Sequence, residues 1–153
     1  DTVPRYLDNG DWAPHDTVAT MSNAMDVSEP SNWPRVEAIC QQKGWPLTDI
    51  TGLALNELQT SEALKNLYQL GYQSEPHAAI AAQGLRQLLA KDEYGIFLGT
   101  AHPAKFKDVV DRELQVDLPL PPELEAVANK PILSVELDAD FGQLKSHLFA
   151  TLR

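Results

Sequence analysis

Cysteine is nearly absent from the sequence: Cys40 stands alone, so no disulfide can form within the chain. Cys40 follows Ile39 in a helical pattern, and such a cysteine is typically a small buried hydrophobic residue rather than a nucleophile. The apolar runs are also too short to span a bilayer, and no signal segment opens the sequence. These features predict a protein of the reducing cytoplasm with no membrane partner.

Basic residues are scarce, with 12 Lys and Arg against 22 Asp and Glu and a formal net charge of -10. A nucleic-acid surface needs clustered cations, so nucleic acid is not a predicted partner. No His, Cys, Asp and Glu residues have metal-ligand spacing. The sequence also has no glycine-rich phosphate loop and no turn that presents a nucleophilic serine. We therefore predict no metal site within this chain.

What the sequence does contain is enough apolar residues, 43% of 153, for one domain with a core. Helical spacing predicts helices at about residues 32–42, 61–70, 75–89, 103–114 and 123–128, and a last helix that Asp138 or Asp140 caps. Ser31 is the predicted cap of the first of these helices. Two short apolar runs, Tyr94–Leu98 and Ile132–Leu137, predict buried strands.

This pattern predicts an α/β fold that is helix-rich and has only a few strands. We interpret residues 1–153 as a single domain fragment, with a loop-rich segment at 1–30 and a helical body at 31–153. Two or three strands make a poor sheet alone, so we expect a missing part of the protein to supply the rest.

The segment GTAHPAKF, residues 99–106, follows the first predicted strand. It places a hydroxyl (Thr100), an imidazole (His102) and an ammonium (Lys105) where ligands bind in open α/β folds. Gly99 permits close approach of the backbone. The alternative is a turn between strand and helix in which Thr100 and His102 only cap the helix.

A second polar cluster consists of Ser22, Asn23 and Asp26 in the segment SNAMD. The first two side chains could orient a polar ligand, and Asp26 could accept a hydrogen bond from an amine. The alternative is a loop whose side chains satisfy their own backbone. His77 follows Pro76 near a predicted helix start, and there a buried or capping role is favoured over a catalytic one.

Four segments together resemble threonine synthase of the bacterial and fungal kind: DTVPRYL, ATMSNAMDVSEPSNWPRV, LGYQSEPHAAIA and YGIFLGTAHPAKF. The resemblance implies the tryptophan-synthase-like fold, fold-type II, of enzymes that use pyridoxal 5'-phosphate (PLP). It also implies conversion of O-phospho-L-homoserine and water into L-threonine and phosphate. PLP acts in that family as an electron sink during γ-elimination of phosphate and β-addition of water.

The resemblance implies a cofactor-binding role for Thr100, whose hydroxyl matches the one placed against the pyridine nitrogen. It implies substrate-binding roles for residues of both motifs, and Lys105 or Arg5 is a candidate for attracting the substrate phosphate. These predicted substrate-binding residues are Ser22, Asn23, Asp26, His102 and Lys105.

The family's Schiff-base lysine and its loop for the PLP phosphate lie upstream of the matched region. The resemblance therefore implies that this chain holds no catalytic residue and is inactive alone, with the N-terminal part of the same enzyme as its partner. We also expect the isolated chain to self-associate or to be loosened near residues 1–26. Two alternatives stay open: a phospho-lyase similar to threonine synthase, and a non-catalytic interaction module that reuses this part of the fold.

Overall fold

The structure is a computed structural model that describes residues 1–152. Seven α-helices and three short 3-10 turns are found in that range. The α-helices are α1 (Thr2–Asn9), α2 (Trp33–Lys43), α3 (Glu57–Gln69), α4 (Pro76–Leu88), α5 (Lys107–Leu114), α6 (Pro122–Ala128) and α7 (Phe141–Thr151). The 3-10 turns are Asn23–Met25, Leu47–Asp49 and Pro103–Phe106. The chain divides into two compact units, Asp1–Pro119 and a second that begins at Leu120.

Helix ends follow from local chemistry. Asn56 begins α3 with a capping box, in which its side chain accepts from the Gln59 backbone N–H and the Gln59 side chain accepts from the Asn56 backbone, both at 2.9 Å. Gly44 ends α2 in the left-handed conformation at φ 68°, which glycine adopts at little cost. The predicted cap of α2, Ser31, is wrong: Asn32 is the N-cap and its side chain makes no capping hydrogen bond.

The core of the first unit lies where α3 packs against α4 and α5. Leu64 is fully buried with Ala63 of the same helix and Ala79 of α4, and Leu67 and Leu114 pack against them. Small residues along α4 allow this close approach, and three of them, Ala78, Ala79 and Ala82, are buried. The first turn of α4 also lies close to the Gly99–Phe106 segment, since the rings of His77 and Phe106 pack together.

A polar group ties α3 to α5 beside this core. Ser61 is 6% exposed, and its hydroxyl donates to Glu113 Oε2 at 2.6 Å while accepting from Lys65 Nζ at 2.9 Å. The Ser61 hydroxyl, together with the Arg112 side chain, lowers the pKa of Glu113, although partial desolvation opposes the shift. The Glu113 carboxylate is therefore held charged against the helix that carries Leu64.

Neither predicted strand is present among residues 1–152, and the prediction of strands at Tyr94–Leu98 and Ile132–Leu137 is wrong for this chain. Both segments are irregular, and residues 94–101 make no backbone hydrogen bond to another segment of the described chain. A strand exists only when its N–H and C=O groups pair with a neighbour. The apolar residues favour an extended backbone, but no other segment of residues 1–152 pairs with them.

Helix α1 lies within the segment predicted to be loop-rich. Pro4 occupies its first turn, where a missing N–H costs nothing, and Gly10 ends it at φ 75°. The side chain of Thr2, 5% exposed, donates to the Ser28 carbonyl at 2.6 Å. This long-range contact fixes the helix against the loop that follows.

We expect Leu64→Ala to lower the free energy of unfolding by about 2–5 kcal/mol, because it leaves a cavity in the core formed by α3, α4 and α5. Leu58→Ala on the same helix is the matched control, since Leu58 is 68% exposed and its loss is expected to cost under about 0.5 kcal/mol. Urea unfolding followed by circular dichroism measures both. Equal losses for the two variants would contradict the location of the core.

Candidate functional site

The Gly99–Phe106 segment combines an exposed first half with an anchored second half. Thr100 is exposed and follows the irregular apolar segment Tyr94–Leu98. His102 caps the following 3-10 turn, because its Nδ1 accepts from the Ala104 N–H at 3.1 Å. Ala104 and Phe106 are 7% and 5% exposed. The buried residues thus hold the segment in place while the Thr100 hydroxyl stays open to a ligand.

The cation of this segment, Lys105, is exposed. Its Nζ lies 5.6 Å from the centroid of the Phe106 ring, within the range of a cation–π interaction. Arg5, the other candidate for a phosphate contact, is already engaged: it donates to Asp1 Oδ1 at 3.1 Å and to the Ala13 carbonyl at 2.6 Å. No hydrogen bond or ion pair within the described residues joins Arg5 to the Gly99–Phe106 segment.

The loop that carries the second cluster is organised by Asp26. The Thr20 hydroxyl donates to Asp26 Oδ1 at 2.6 Å, and the Thr20 backbone N–H donates to Oδ2 at 2.8 Å. These two bonds lower the pKa of Asp26, the hydroxyl most strongly. Ser22 bonds to the same Thr20 hydroxyl at 3.0 Å, and Asn23 is exposed. The loop satisfies part of its own polarity, as the alternative interpretation of its sequence predicted.

Two further contacts place this loop. Met21 is buried and its N–H donates to Glu57 Oε2 of α3 at 3.0 Å. Asp26 and Thr20 line a cavity of about 360 Å³ together with other residues of the first unit. Its remaining lining residues are Asp1, Thr2, His15, Asp16, Thr17, Val18, Met25, Val27 and Ser28. Asp26 therefore combines a charged carboxylate with access to an open cavity, which suits recognition of a cationic group.

Sequence reasoning favoured a buried or capping role for His77 but missed its pairing with Glu75 at the start of α4. Glu75 is 1% exposed. Its carboxylate accepts from the Ala78 and His77 N–H groups, each at 2.8 Å, and lies 2.5 Å from His77 Nδ1. The only signal in the sequence was an acidic residue before Pro76, which is typical of a helix N-cap. That pattern predicts a cap but not the burial of its carboxylate.

His77 lies beside the Gly99–Phe106 segment. Its ring packs against the ring of Phe106 with centroids 4.9 Å apart. The structure thus places this imidazole at the anchored end of the segment. No hydrogen bond or ion pair in the described range joins His77 to Asp26 or to Thr100.

Other chemistry is not apparent in the described range. Residues 1–152 contain no cluster of His, Cys, Asp and Glu that could hold a metal ion. No helix in that part of the chain is long and apolar enough to cross a membrane. Cys40 is buried and has no disulfide partner.

Thr20→Val is expected to raise the pKa of Asp26 toward its ordinary value of 3.8, because the variant loses the hydroxyl donor and keeps the backbone bond. A depressed folded-state pKa stabilises the fold above the unfolded value and ceases to do so as pH falls through the folded value. The stability difference between variant and wild type should therefore shrink below about pH 3.8. Carboxyl NMR titration measures the shift, with Ser22→Ala as the matched control. An unchanged Asp26 titration in Thr20→Val would contradict this account.

Comparison with known proteins places these motifs in context. Residues 78–148 match the family model described as threonine synthase, C-terminal. Over 148 residues the chain is 53% identical to threonine synthase from Serratia marcescens, and over 145 residues it is 52% identical to that from Escherichia coli. These alignments cover 97% and 95% of this chain but 34% of each relative. The chain thus spans about a third of the length of the curated relatives it matches.

Solved structures give the same result. The crystal structure of threonine synthase from Escherichia coli superposes with a TM-score of 0.93 at 50% identity, covering 98% of this chain and 35% of that one. A PLP-bound threonine synthase from Brucella melitensis superposes with a TM-score of 0.64 at 24% identity over 81% of this chain and 32% of that one, which supports the fold alone. The chain matches the C-terminal part of threonine synthases over nearly its whole length, which confirms the resemblance predicted from its motifs.

Proposed function

We propose that this chain forms one side of a threonine synthase active site, which converts O-phospho-L-homoserine and water into L-threonine and phosphate. The observation that carries the proposal is the Thr100 hydroxyl, exposed on a segment whose far end is anchored by buried Phe106. The similarity to threonine synthases over 97% of the chain supports the same reaction. The buried thiol of Cys40 fits a cytoplasmic enzyme.

The residues around Thr100 fit PLP as the cofactor. Thr100 is neutral and exposed, so it can donate a hydrogen bond to an unprotonated pyridine nitrogen. Glycine suits position 99, because a Cβ there would lie 3.2 Å from the Tyr72 hydroxyl oxygen, closer than most Cβ contacts in proteins. When bound, PLP supplies an electron sink for carbanions of the substrate. Thr100 would hold the ring nitrogen without adding a charge, in contrast to an aspartate at that position.

Substrate contacts are proposed for both polar motifs, namely Ser22, Asn23, Asp26, His102 and Lys105. Asp26 is held charged by Thr20 and faces a cavity, so it suits the substrate ammonium. Lys105 suits the phosphate better than Arg5, because the Arg5 guanidinium is already bonded to Asp1 and Ala13. Lys105 makes no salt bridge to any residue in the described range.

The remaining two thirds of such an enzyme is the proposed partner of this chain. Tyr94, Ile96 and Leu98 are 100%, 89% and 74% exposed at alternate positions of a segment that makes no backbone hydrogen bond to another described segment. In the second unit, Ile132 and Leu133 are 87% and 94% exposed. Exposed apolar segments of this kind are typical of strands whose neighbours lie elsewhere. We propose that the N-terminal part pairs with them and completes the fold-type II sheet.

The chain alone, given PLP, is expected to form no threonine, because the lysine and the phosphate loop of the family lie in that partner part. Threonine released from O-phospho-L-homoserine is the measurement, and the complete enzyme in the same assay is the control. Mass spectrometry after borohydride reduction should find no lysine adduct on this chain. Threonine formation by the chain alone would overturn the proposed division of the site.

In the complete enzyme we expect Thr100→Ala to lower kcat about 10- to 100-fold, because one positioned hydrogen-bond donor to the cofactor is lost. Thr100→Ser keeps the hydroxyl and should retain most of the activity. Thr51→Ala is the matched control, since Thr51 is also exposed but lies outside both motifs. Wild-type kcat and an unchanged PLP absorbance spectrum in Thr100→Ala would remove Thr100 from the cofactor site.

A further inference from the structure

The first unit contains a cavity of about 510 Å³ whose lining includes three aromatic rings. Tyr6 of α1, Trp12 after that helix and Trp33 at the start of α2 supply these rings. The remaining lining residues are Glu29, Pro30, Ser31, Pro34 and Glu37. None of the lining residues belongs to the Ser22–Asp26 loop or to the Gly99–Phe106 segment. The volume is within the range of small-molecule sites, about 300–1,000 Å³.

The three rings hold one another in a defined arrangement. The Tyr6 ring meets Trp12 edge to face, with centroids 5.4 Å apart and planes at 82°, and it meets Trp33 in the same way at 5.9 Å and 82°. Trp12 and Trp33 are nearly parallel, with 16° between their planes and 6.4 Å between their centroids. All three residues are half-buried, so they pack together and still present surface to the cavity. Aromatic faces that remain accessible attract cations.

Glu37 joins two of these rings through one oxygen and leaves its other oxygen unused. Its Oε1 accepts from the Tyr6 hydroxyl at 2.7 Å and from Trp33 Nε1 at 3.2 Å. The hydrogen bond to Glu37 raises the pKa of Tyr6, with burial and the Glu37 charge adding to the effect, so the phenol remains a donor at neutral pH. Glu37 Oε2 makes no hydrogen bond within residues 1–152 and is not buried away from solvent. This oxygen can therefore accept a hydrogen bond from a ligand.

The cavity also carries negative charge that the described chain does not neutralise. Glu29 is exposed and lines the same cavity as Glu37. Neither carboxylate forms an ion pair with a Lys, Arg or His of residues 1–152. Arg5 is on the same helix as Tyr6, but its guanidinium is bonded to Asp1 and to the Ala13 carbonyl. Aromatic faces beside unpaired carboxylates select a cationic ligand rather than a neutral one.

We propose that this aromatic cavity binds a small organic cation that carries a planar guanidinium group. A guanidinium lies flat against an aromatic ring and presents N–H donors in its own plane, which suits the tryptophan faces together with Glu37 Oε2. A quaternary ammonium has no N–H and would leave Oε2 without a hydrogen bond. The inference goes beyond the proposed reaction, since it involves none of the residues proposed to contact PLP or O-phospho-L-homoserine.

Titration of the complete enzyme with methylguanidinium at constant ionic strength tests the proposal. The indole 1H–15N resonances of Trp12 and Trp33 should shift together with a Kd on the order of 1 mM, because so small a ligand has few atoms with which to gain affinity. Trp45, 58% exposed and outside the cavity, is the internal control. Methylurea is planar but neutral, and tetramethylammonium is cationic but has no N–H. Each should bind at least about 10-fold more weakly.

Two variants assign the binding to this cavity. Glu37→Gln keeps a carbonyl oxygen for the Tyr6 and Trp33 donors but removes the charge, and it should weaken methylguanidinium binding about 10-fold. Trp12→Leu removes one ring face and should weaken binding about 3- to 30-fold. Glu62→Gln and Trp45→Leu, at exposed positions outside the cavity, are the matched controls and should bind as wild type does. If Trp12→Leu does not fold, Glu37→Gln alone decides.

The contrary outcomes are separate from failure of the proposed function. Equal binding of methylurea and methylguanidinium, or equal weakening in Glu37→Gln and Glu62→Gln, would overturn the selection of a cation by this cavity. Tighter binding of tetramethylammonium would overturn the choice of a guanidinium. The absence of a saturable shift in the complete enzyme would overturn the inference as a whole, including the case in which a side chain of the N-terminal part fills the cavity. None of these measurements requires threonine to be formed.

Discussion

The buried carboxylate of Glu75 is the constraint from which the arrangement of the first unit follows. A carboxyl group that is 1% exposed is tolerated only when hydrogen bonds replace its lost hydration. Three partners do this here: the His77 and Ala78 N–H groups and the His77 ring. The same bonds begin α4, set the plane of the imidazole and thereby define where Phe106 and the end of the Gly99–Phe106 segment can pack. Removal of the carboxyl group would release all of them together.

Local sequence signals gave most of the helices, because their causes lie within one or two turns. Pro76 and the alanines after it predicted a helix at 75–89, and the structure has α4 at Pro76–Leu88. The start of α3 was placed too late, because the capping box of Asn56 and Gln59 was not recognised in the polar stretch before it. Helix α1 was missed since its stability depends on distant contacts such as that of Thr2 with Ser28. The two strand predictions were wrong for a related reason, because a strand needs a pairing partner that its own residues do not supply.

The residues of the candidate site also differ in how well the sequence predicted them. The residue types and order of the Gly99–Phe106 segment were enough to single out the Thr100 hydroxyl as a candidate group, and the structure leaves it exposed. They also offered a cap at His102 as the alternative interpretation, and the structure shows that cap. The contact between His77 and Phe106 was not predictable, because the two residues lie far apart in the sequence and meet only through packing of α4. A group of residues within one segment can be recognised from the sequence. A group assembled from two segments can be recognised only when their packing is known.

The two units differ in how far they can sustain a fold. The first has a continuous core around Leu64. Around that core, Glu57 bonds the loop at Met21 to α3, Glu75 caps α4, and Glu113 joins α5 to α3. Among the described residues of the second, from Leu120 on, none is buried, and apolar residues of α7 such as Phe141 and Phe149 are 77% and 73% exposed. Two short helices without a buried face gain too little from apolar burial to offset the entropy of ordering them. The second unit therefore depends on a surface outside itself. We propose that the N-terminal part of the enzyme provides this surface and also pairs with Tyr94–Leu98.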